Sequence, residues 1–327
     1  MRFLVIGGGS IGKRHLKNLL FLKQEVAVCE PVVERAKAIK KEFNVSVFSN
    51  AEKGLKEGFD AVVIANPNVY HLSSALIAAK YGCHLFIEKP LSHNLNGVDE
   101  LVEIIERKKL KMLMGSNFKF HPSFKLIKQI LDEGTIGKII SFSVIAGQYL
   151  PDWHPWEDYR KGYSANKSLG GGVLLDSHEF DYLQWFLGPI KKLACFAGRY
   201  SNLEIDTEDI AELIVELENK IVGNIHVDYI QRPYKRVYSF YGEKGTMEWS
   251  FLDKKISLYS ANKNTWEYFK EDSDYDLNEM YAEEMKHFIN VIKGKEESIT
   301  DIYKAKQILE VVESAKKSFE LGRVINL

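Results

Sequence analysis

Arg2-Phe3-Leu4-Val5-Ile6-Gly7-Gly8-Gly9-Ser10-Ile11-Gly12, the run RFLVIGGGSIG, decides the fold. Its first half is apolar and strand-like, and its second half is G-x-G-x-x-G, with Gly7, Gly9 and Gly12 in the three fixed places. Apolar residues then recur at Ile11, His15-Leu16 and Leu19-Leu20, the spacing of one helix face. Glycines between a strand and a helix let the backbone turn sharply and approach a pyrophosphate, whose charge rests on helix N–H groups. The same run in isolation also reads as a flexible turn. Its place between strand and helix selects the dinucleotide reading, with Gly7, Gly9, Ser10, Ile11 and Gly12 as the expected contacts.

The next strand-like run, EVAVCEP, ends in Glu30, about 18 residues past Gly12. An acid there accepts the adenosine ribose hydroxyls and repels a 2′-phosphate, which favours NAD over NADP. Glu30 could also serve only to cap the following helix, with Pro31 at its start. Strand-like and helical runs then alternate up to KMLMGSN at residues 111–117, which implies a parallel sheet with helices on both faces. Ligands of such sheets bind beyond the carboxyl ends of the strands. Three segments end there with polar punctuation: IANPNVYH (Asn66, Pro67, Asn68, His71), IEKP (Glu88, Lys89) and GSNFKFHP (Asn117, Lys119, His121).

The bulk numbers exclude several classes. A net charge of −1 offers no field for nucleic acid or an anionic membrane. No apolar run approaches the roughly 20 residues a spanning helix needs, and the glycines after residue 6 do not suit a secretory signal. The expected compartment is the cytoplasm. Cys29, Cys83 and Cys195 stand far apart, so buried structural thiols are expected. No histidine spacing suits a metal, and none is expected.

From about residue 121 strand-like runs follow one another without helices, several joined by hairpin-like turns such as Glu218-Asn219-Lys220 and Gly242-Glu243-Lys244-Gly245. Such neighbours argue for an antiparallel sheet. Two helical runs close the chain, each ended by a glycine. The expected organisation is a dinucleotide-binding domain over 1–120 and a substrate-binding and oligomerisation domain over 121–327.

Together, GGGSIG, IANPNVYH, IEKPLS, GSNFKFHP and GGGVLLDSHEFDYLQWFLG resemble the Gfo/Idh/MocA oxidoreductases, in order along nearly the whole chain. The resemblance implies an N-terminal Rossmann domain, a doubly wound parallel sheet. It also implies a C-terminal α/β domain with a large, mostly antiparallel open sheet, and NAD(P)-dependent chemistry on CH–OH groups of sugars or nucleotide sugars. In this family the sheet commonly serves in oligomerisation, so a homodimer or homotetramer is expected. The family's E-K-P maps onto Glu88-Lys89-Pro90, with Lys89 catalytic and Pro90 in a cis bond. The alternative for Lys89 alone is a solvated side chain beside a turn proline.

The family's second motif, G-G-G-x-x-x-D-x-G-x-H-x-x-D, maps imperfectly onto residues 170–181. His178 and Asp181 keep their spacing, but the stretch before His178 is shorter by two, and Leu174 stands where an aspartate is usual. On one helix Asp176 and His178 would differ by about 200° and could not share a face. Either the usual aspartate is absent, or the helix begins later and Asp176 caps it, with Glu179 completing a capping box. Asp176 and His178 are therefore the candidate catalytic partners of Lys89.

Just before lies an aromatic-rich segment in which Trp153, Trp156, Tyr159 and Tyr163 alternate with Asp152, His154, Asp158, Arg160, Lys161 and Lys167. Aromatic faces suit a sugar ring and cationic side chains grip carboxylate or phosphate, although such a loop equally suits a subunit contact. Lys89, Lys119, Trp153, Arg160 and His178 are the expected substrate contacts. In the expected mechanism Lys89 and His178 flank the reacting hydroxyl, one taking its proton and the other polarising its oxygen. Two other readings remain at this level: an NAD-dependent glycoside hydrolase that oxidises and re-reduces its sugar, and a protein that binds NAD and sugar without chemistry.

Overall fold

The computed structural model describes residues 1–153 and 155–327; His154 of the aromatic segment lies outside the described residues. The chain divides into two compact units, Met1–Asn117 with Leu277–Leu309, and Phe118–Asp276 with Glu310–Leu327.

In the first unit β1 (Arg2–Ile6), α1 (Ser10–Phe21), β2 (Glu25–Cys29), α2 (Val33–Phe43), β3 (Ser46–Phe48), α3 (Ala51–Leu55), β4 (Ala61–Ile64), α4 (His71–Lys80), β5 (His84–Ile87), α5 (Val98–Lys108) and β6 (Met112–Met114) alternate as expected. The six strands lie in the order β3-β2-β1-β4-β5-β6, all parallel. This is the doubly wound order, whose direction reverses between β1 and β4. Nearly continuous apolar strands are what burial on both faces demands: Phe3, Leu4, Val5, Val62, Val63, Leu85, Phe86 and Ile87 have no exposed surface.

The chain then leaves for the second unit, through α6 (Pro122–Asp132), β7 (Ile139–Gly147), α7 (Val173–Asp176), α8 (Glu179–Leu187), β8 (Ile190–Gly198), β9 (Ile210–Leu217), β10 (Val222–Asp228), β11 (Lys235–Gly242), β12 (Gly245–Ser250), β13 (Lys255–Ser260) and β14 (Thr265–Lys270). It returns to the first unit as α9 (Asn278–Ile292) and ends with α10 (Ile302–Leu321) and β15 (Ile325–Asn326). The return of α9 is a packing event. Met285, Phe288 and Ile289 join the core made by β1, β2, β5 and α1, and Phe288 meets Phe3 and Phe86 edge-on at 6.3 and 5.7 Å.

Nine strands of the second unit form one sheet in the order β14-β13-β12-β11-β7-β10-β9-β8-β15. Every pairing is antiparallel except β7 with β10. Alternation assigns the faces. Val144, Ile225, Tyr238, Phe240, Met247 and Trp249 point inward, where Phe124 of α6 meets Trp249 at 5.0 Å and Tyr182 of α8 at 5.2 Å. The other face leaves Phe196, Ile214, Val222 and Tyr241 exposed.

Candidate functional site

At the carboxyl end of β1 the glycines make a sharp turn and a close backbone approach. Gly7 has φ +104°, and a Cβ there would lie 2.5 Å from the Ala65 carbonyl oxygen, so the turn after β1 passes directly against the end of β4. Gly12 is equally tight: its Cβ would meet the Gly7 carbonyl oxygen at 1.9 Å. Gly9, which starts α1, faces nothing within 4 Å, and no side chain caps the helix. Open space before uncapped N–H groups, backed by two glycines that bring helix and strand together, is the shape a pyrophosphate requires. These residues fit a dinucleotide.

Glu30 is buried at the end of β2. Its carboxylate accepts the Gly8 and Val32 N–H groups at 2.8 Å each and pairs with Arg35 at 3.2 Å. The acid therefore stands at the glycine turn and holds that turn in place.

Around β5 the sequence candidates converge. The Lys89–Pro90 bond is cis. Glu88 and Lys89 are half-buried at the strand end, and the Glu88 N–H donates to the Ile64 carbonyl at 2.9 Å. His71 is buried against the same turn, with Nδ1 2.7 Å from the Pro90 carbonyl oxygen and Nε2 2.8 Å from that of Asn66. Burial lowers the pKa of the His71 imidazole, against the pull of the two carbonyls and Glu88. Asn66 donates to Ser74 Oγ at 2.9 Å, while Asn68 is buried and Pro67 exposed. At the end of β6, Asn117 is buried and its amide reaches Met280 Sδ at 3.6 Å. His15, which the sequence presented only as an apolar-face residue, contacts the Glu88 carboxylate.

In the second unit the shortened motif breaks into two helices. Helix α7 ends at Asp176, Ser177 is extended, and α8 starts at Glu179. The helix does begin later, but Asp176 does not cap it. Ser177 Oγ accepts the Glu179 N–H at 3.1 Å, and Glu179 accepts the Ser177 hydroxyl at 2.9 Å and the His178 N–H at 3.0 Å. Asp176 instead accepts the Tyr229 hydroxyl at 2.5 Å. Trp153 stands edge-on to Tyr229 at 5.4 Å, so Asp176 and Trp153 share one neighbour. Glu208 lies beside them; burial, with Asp176 adding to it, pushes its carboxyl up. The glycines before α7 make this packing possible: Gly172 has φ +113°, and its Cβ would collide with Glu208 at 2.4 Å.

His178 is half-buried, stacked on Tyr182 at 5.5 Å, with Nδ1 3.2 Å from the Tyr182 hydroxyl. Below it Glu179 is buried with Arg236 at 2.9 Å, and Arg236 lies over the Phe118 ring at 4.7 Å. Lys119 is 2% exposed and paired with Asp181 at 2.5 Å, a buried ion pair anchoring α8. Arg160 is exposed and pairs with Asp158 and Glu204 at 2.8 and 3.3 Å. His121 lines a cavity of about 150 Å³ with Leu126, Ile256, Phe269, Glu271 and Tyr275, and neither Asp176 nor His178 lines it. Of the sequence candidates, the second unit thus gathers Trp153 with Asp176, and Lys119 with Asp181 on the helix that His178 precedes; Arg160 stands on the surface.

The sequence missed His15, Tyr182, Glu208, Tyr229 and Arg236. Only two had a readable signal: Tyr182 stands four residues after His178, and His15 three after Gly12, both helical spacings. The three cysteines are buried and reduced, their thiols pushed up by burial to about 11, 11 and 12. No cluster among the described residues could hold a metal, and no helix among them is long and apolar enough to cross a membrane.

Residues 1–116 match the sequence model of an oxidoreductase family with an NAD-binding Rossmann fold, and residues 124–248 match that of the GFO/IDH/MocA C-terminal domain. The myo-inositol 2-dehydrogenase of Thermotoga maritima is 26% identical over 100% of this chain and 98% of its own. Among solved structures, a levoglucosan dehydrogenase in complex with NADH superposes with a TM-score of 0.91 at 18% identity, covering 100% of this chain and 98% of its own. The WlbA dehydrogenase of Bordetella pertussis, in complex with NADH and UDP-GlcNAcA, superposes with a TM-score of 0.86 at 21% identity, covering 100% and 97%. These two likenesses concern the fold. The two matched domains, in their order along the chain, carry the conclusion: it belongs to the Gfo/Idh/MocA family and is an NAD-dependent oxidoreductase.

Proposed function

We propose that this enzyme transfers a hydride between nicotinamide and a secondary hydroxyl or ketone of a sugar or nucleotide sugar, with Lys89 and His178 as its catalytic residues. The observation that carries the proposal is the Lys89 turn. A lysine leaves the end of a buried parallel strand, one strand removed from the glycine turn of the doubly wound sheet, and side chains grip its own turn on both sides of it. The relatives' substrates, myo-inositol among them, supply the substrate class.

NAD, held at the Gly7–Gly12 turn, would supply the hydride acceptor; the rest falls to the protein. As the C–H bond breaks, the hydroxyl proton must leave and a C=O bond forms. His178, half-buried and oriented by Tyr182, takes that proton, and the Lys89 ammonium stabilises the oxygen. In reduction His178 returns the proton, while the Lys89 ammonium polarises the same oxygen as a carbonyl. General acid–base catalysis of this kind contributes roughly 10²–10⁴-fold. Trp153 offers an aromatic wall for the sugar ring, and Asp176, already bonded to Tyr229, fixes the segment leading to His178. Arg160 offers a surface cation for an anionic substituent.

Glu30 supports a preference for NAD over NADP, since an acid at the end of β2 repels a 2′-phosphate. The exposed apolar face of the nine-stranded sheet supports a homodimer or homotetramer, and the reduced cysteines support a cytoplasmic location. The test is a screen of inositols, sugars and nucleotide sugars with NAD⁺ and NADP⁺, read as absorbance of the reduced cofactor. NADH formation with one of these classes is expected. Sugar hydrolysis without net NADH would replace dehydrogenation with the glycosidase reading, and binding without turnover of any compound would leave a sugar-binding protein.

A further inference from the structure

His15 is fully buried on the inner face of α1. A buried histidine at that spacing is ordinarily core filling tied to backbone. Here its Nε2 meets a side chain, the Glu88 carboxylate, and Phe86 and Tyr281 close on the ring edge-on at 4.9 and 6.3 Å. The His15 Nδ1 is buried without a hydrogen-bond partner, so the bond to Glu88 is the one the ring makes. The other oxygen of Glu88 accepts the Lys89 backbone N–H at 3.3 Å. Gly115 leaves room for it, since a Cβ there would stand 2.8 Å from that oxygen. Two oxygens, two donors: one donor comes from α1, the other from the residue proposed to meet the substrate.

We propose that His15 is the positioning residue for Lys89: its Nε2–H anchors the Glu88 carboxylate, and that carboxylate fixes the backbone amide from which the lysine side chain leaves. The inference rests on the reading of Lys89 above. Donor chemistry makes the chain one-directional. A carboxylate accepts at both oxygens, whereas an amide in its place accepts at one end and donates at the other. The groups facing Glu88 are His15 from α1, His71 from α4, Lys89 beside it and Tyr281 from α9, with Arg14 over the Tyr281 ring at 4.3 Å and Glu284 adjoining. Burial by itself would push the Glu88 carboxyl up; the His15 hydrogen bond and charge, His71 and the Lys89 N–H together hold it below the usual carboxylate range.

Two near-identical substitutions separate the role from mere packing. His15→Gln places an amide N–H near the Nε2 position, whereas His15→Asn reaches only as far as Nδ1. With selective ¹⁵N-lysine labelling, the Lys89 amide resonance of wild type and His15→Gln should share one pH dependence between pH 5 and 7, since His71 stands beside the turn in both. In His15→Asn it should show a further titration absent from wild type, because the unanchored buried carboxyl takes up a proton. With the sugar that gives the fastest NADH formation in the screen, His15→Asn should lose about 100-fold in kcat, the scale of an ångström-sized misplacement, with NAD⁺ affinity unchanged; His15→Gln should recover most of the loss. If His15→Asn does not fold, Glu88→Gln carries the comparison, since its amide cannot accept from both donors and should be slow at every pH. A Lys89 amide with the wild-type pH dependence and a wild-type kcat in these variants, alongside an inactive Lys89→Ala, overturn the positioning role. An active Lys89→Ala overturns the reading of Lys89 itself.

Discussion

Two glycines three residues apart should fail in different ways when each is given a methyl group. In Gly12→Ala the new Cβ would stand 1.9 Å from the Gly7 carbonyl oxygen, about 1.5 Å inside ordinary contact, and the obstacle is backbone rather than a side chain that could swing away. Overpacking of this kind costs about 1–3 kcal/mol, more than the roughly 1 kcal/mol a helix gains from alanine in place of glycine. Gly9→Ala meets no atom within 4 Å and keeps φ −70°, which any residue adopts. Removing the freedom of that glycine in the unfolded chain should stabilise by about 0.4–1 kcal/mol. Yet the methyl enters the space assigned to the pyrophosphate. Losing one charge-assisted hydrogen bond there costs about 1.5–3 kcal/mol, or roughly 10- to 150-fold in Kd. Denaturant unfolding and NAD⁺ titration calorimetry on both variants read the two quantities. Gly12→Ala should lose stability and affinity together; Gly9→Ala should gain a little stability and lose affinity. If Gly9→Ala bound NAD⁺ as tightly as wild type, the pyrophosphate would lie elsewhere.

Other outcomes follow from the second unit and from titration. His178→Ala should lower kcat by about 10²–10⁴-fold and alter the shape of the pH–rate profile; an unchanged profile at unchanged height would remove it from the chemistry. Lys119→Met should destabilise by about 3–5 kcal/mol, because it removes one partner of a buried ion pair, whereas Lys119→Met with Asp181→Leu should recover most of that loss. Equal unfolding midpoints for the single and double variants would show that the pair is not a buried unit. Burial lowers the native pKa of His71, His84 and His121, so each group stabilises the fold fully above its unfolded value near 6.5, a contribution lost as pH falls through the native value. His226, raised chiefly by its bond to Asp228, works the other way, stabilising below about 6.5 and losing that contribution as pH rises through its native value. With three groups against one, unfolding free energy measured in denaturant should fall from pH 7.5 to 5.5, and a rise over that interval would contradict the burial of these imidazoles.

The doubly wound sheet was legible because its signals are local. A glycine turn after an apolar strand and polar residues at strand ends need no knowledge of distant contacts, and Gly7, Asn66 and Glu88 lie at strand ends as the run of residues implied. The hairpins at Glu218–Lys220 and Gly242–Gly245 were legible for the same reason. Strand β14, TWEYFK, was not: all six residues are exposed, so no buried face imprints an alternation. Helix α6 follows the boundary at which the pattern was read as changing, and its apolar spacing at Phe124, Ile127 and Ile130 was passed over. The return of α9 to the first core depends on Phe288 finding Phe3 and Phe86, contacts that no spacing announces. At the site, the sequence placed Asp176 as a choice between catalyst and cap. Tyr229, 53 residues away, decides its partner, and the Ser177 hydroxyl, not Asp176, accepts the first N–H of α8. The His15–Glu88 contact spans 73 residues and was equally hidden.

The lysine at the end of β5 is the claim on which the account stands. The direct measurement is a single turnover of Lys89→Ala: enzyme saturated with NAD⁺, mixed rapidly with the sugar identified by the screen, and followed at the NADH absorbance band. The account predicts NAD⁺ affinity equal to wild type and NADH appearing about 10²–10⁴ times more slowly. NADH appearing at the wild-type rate would contradict it.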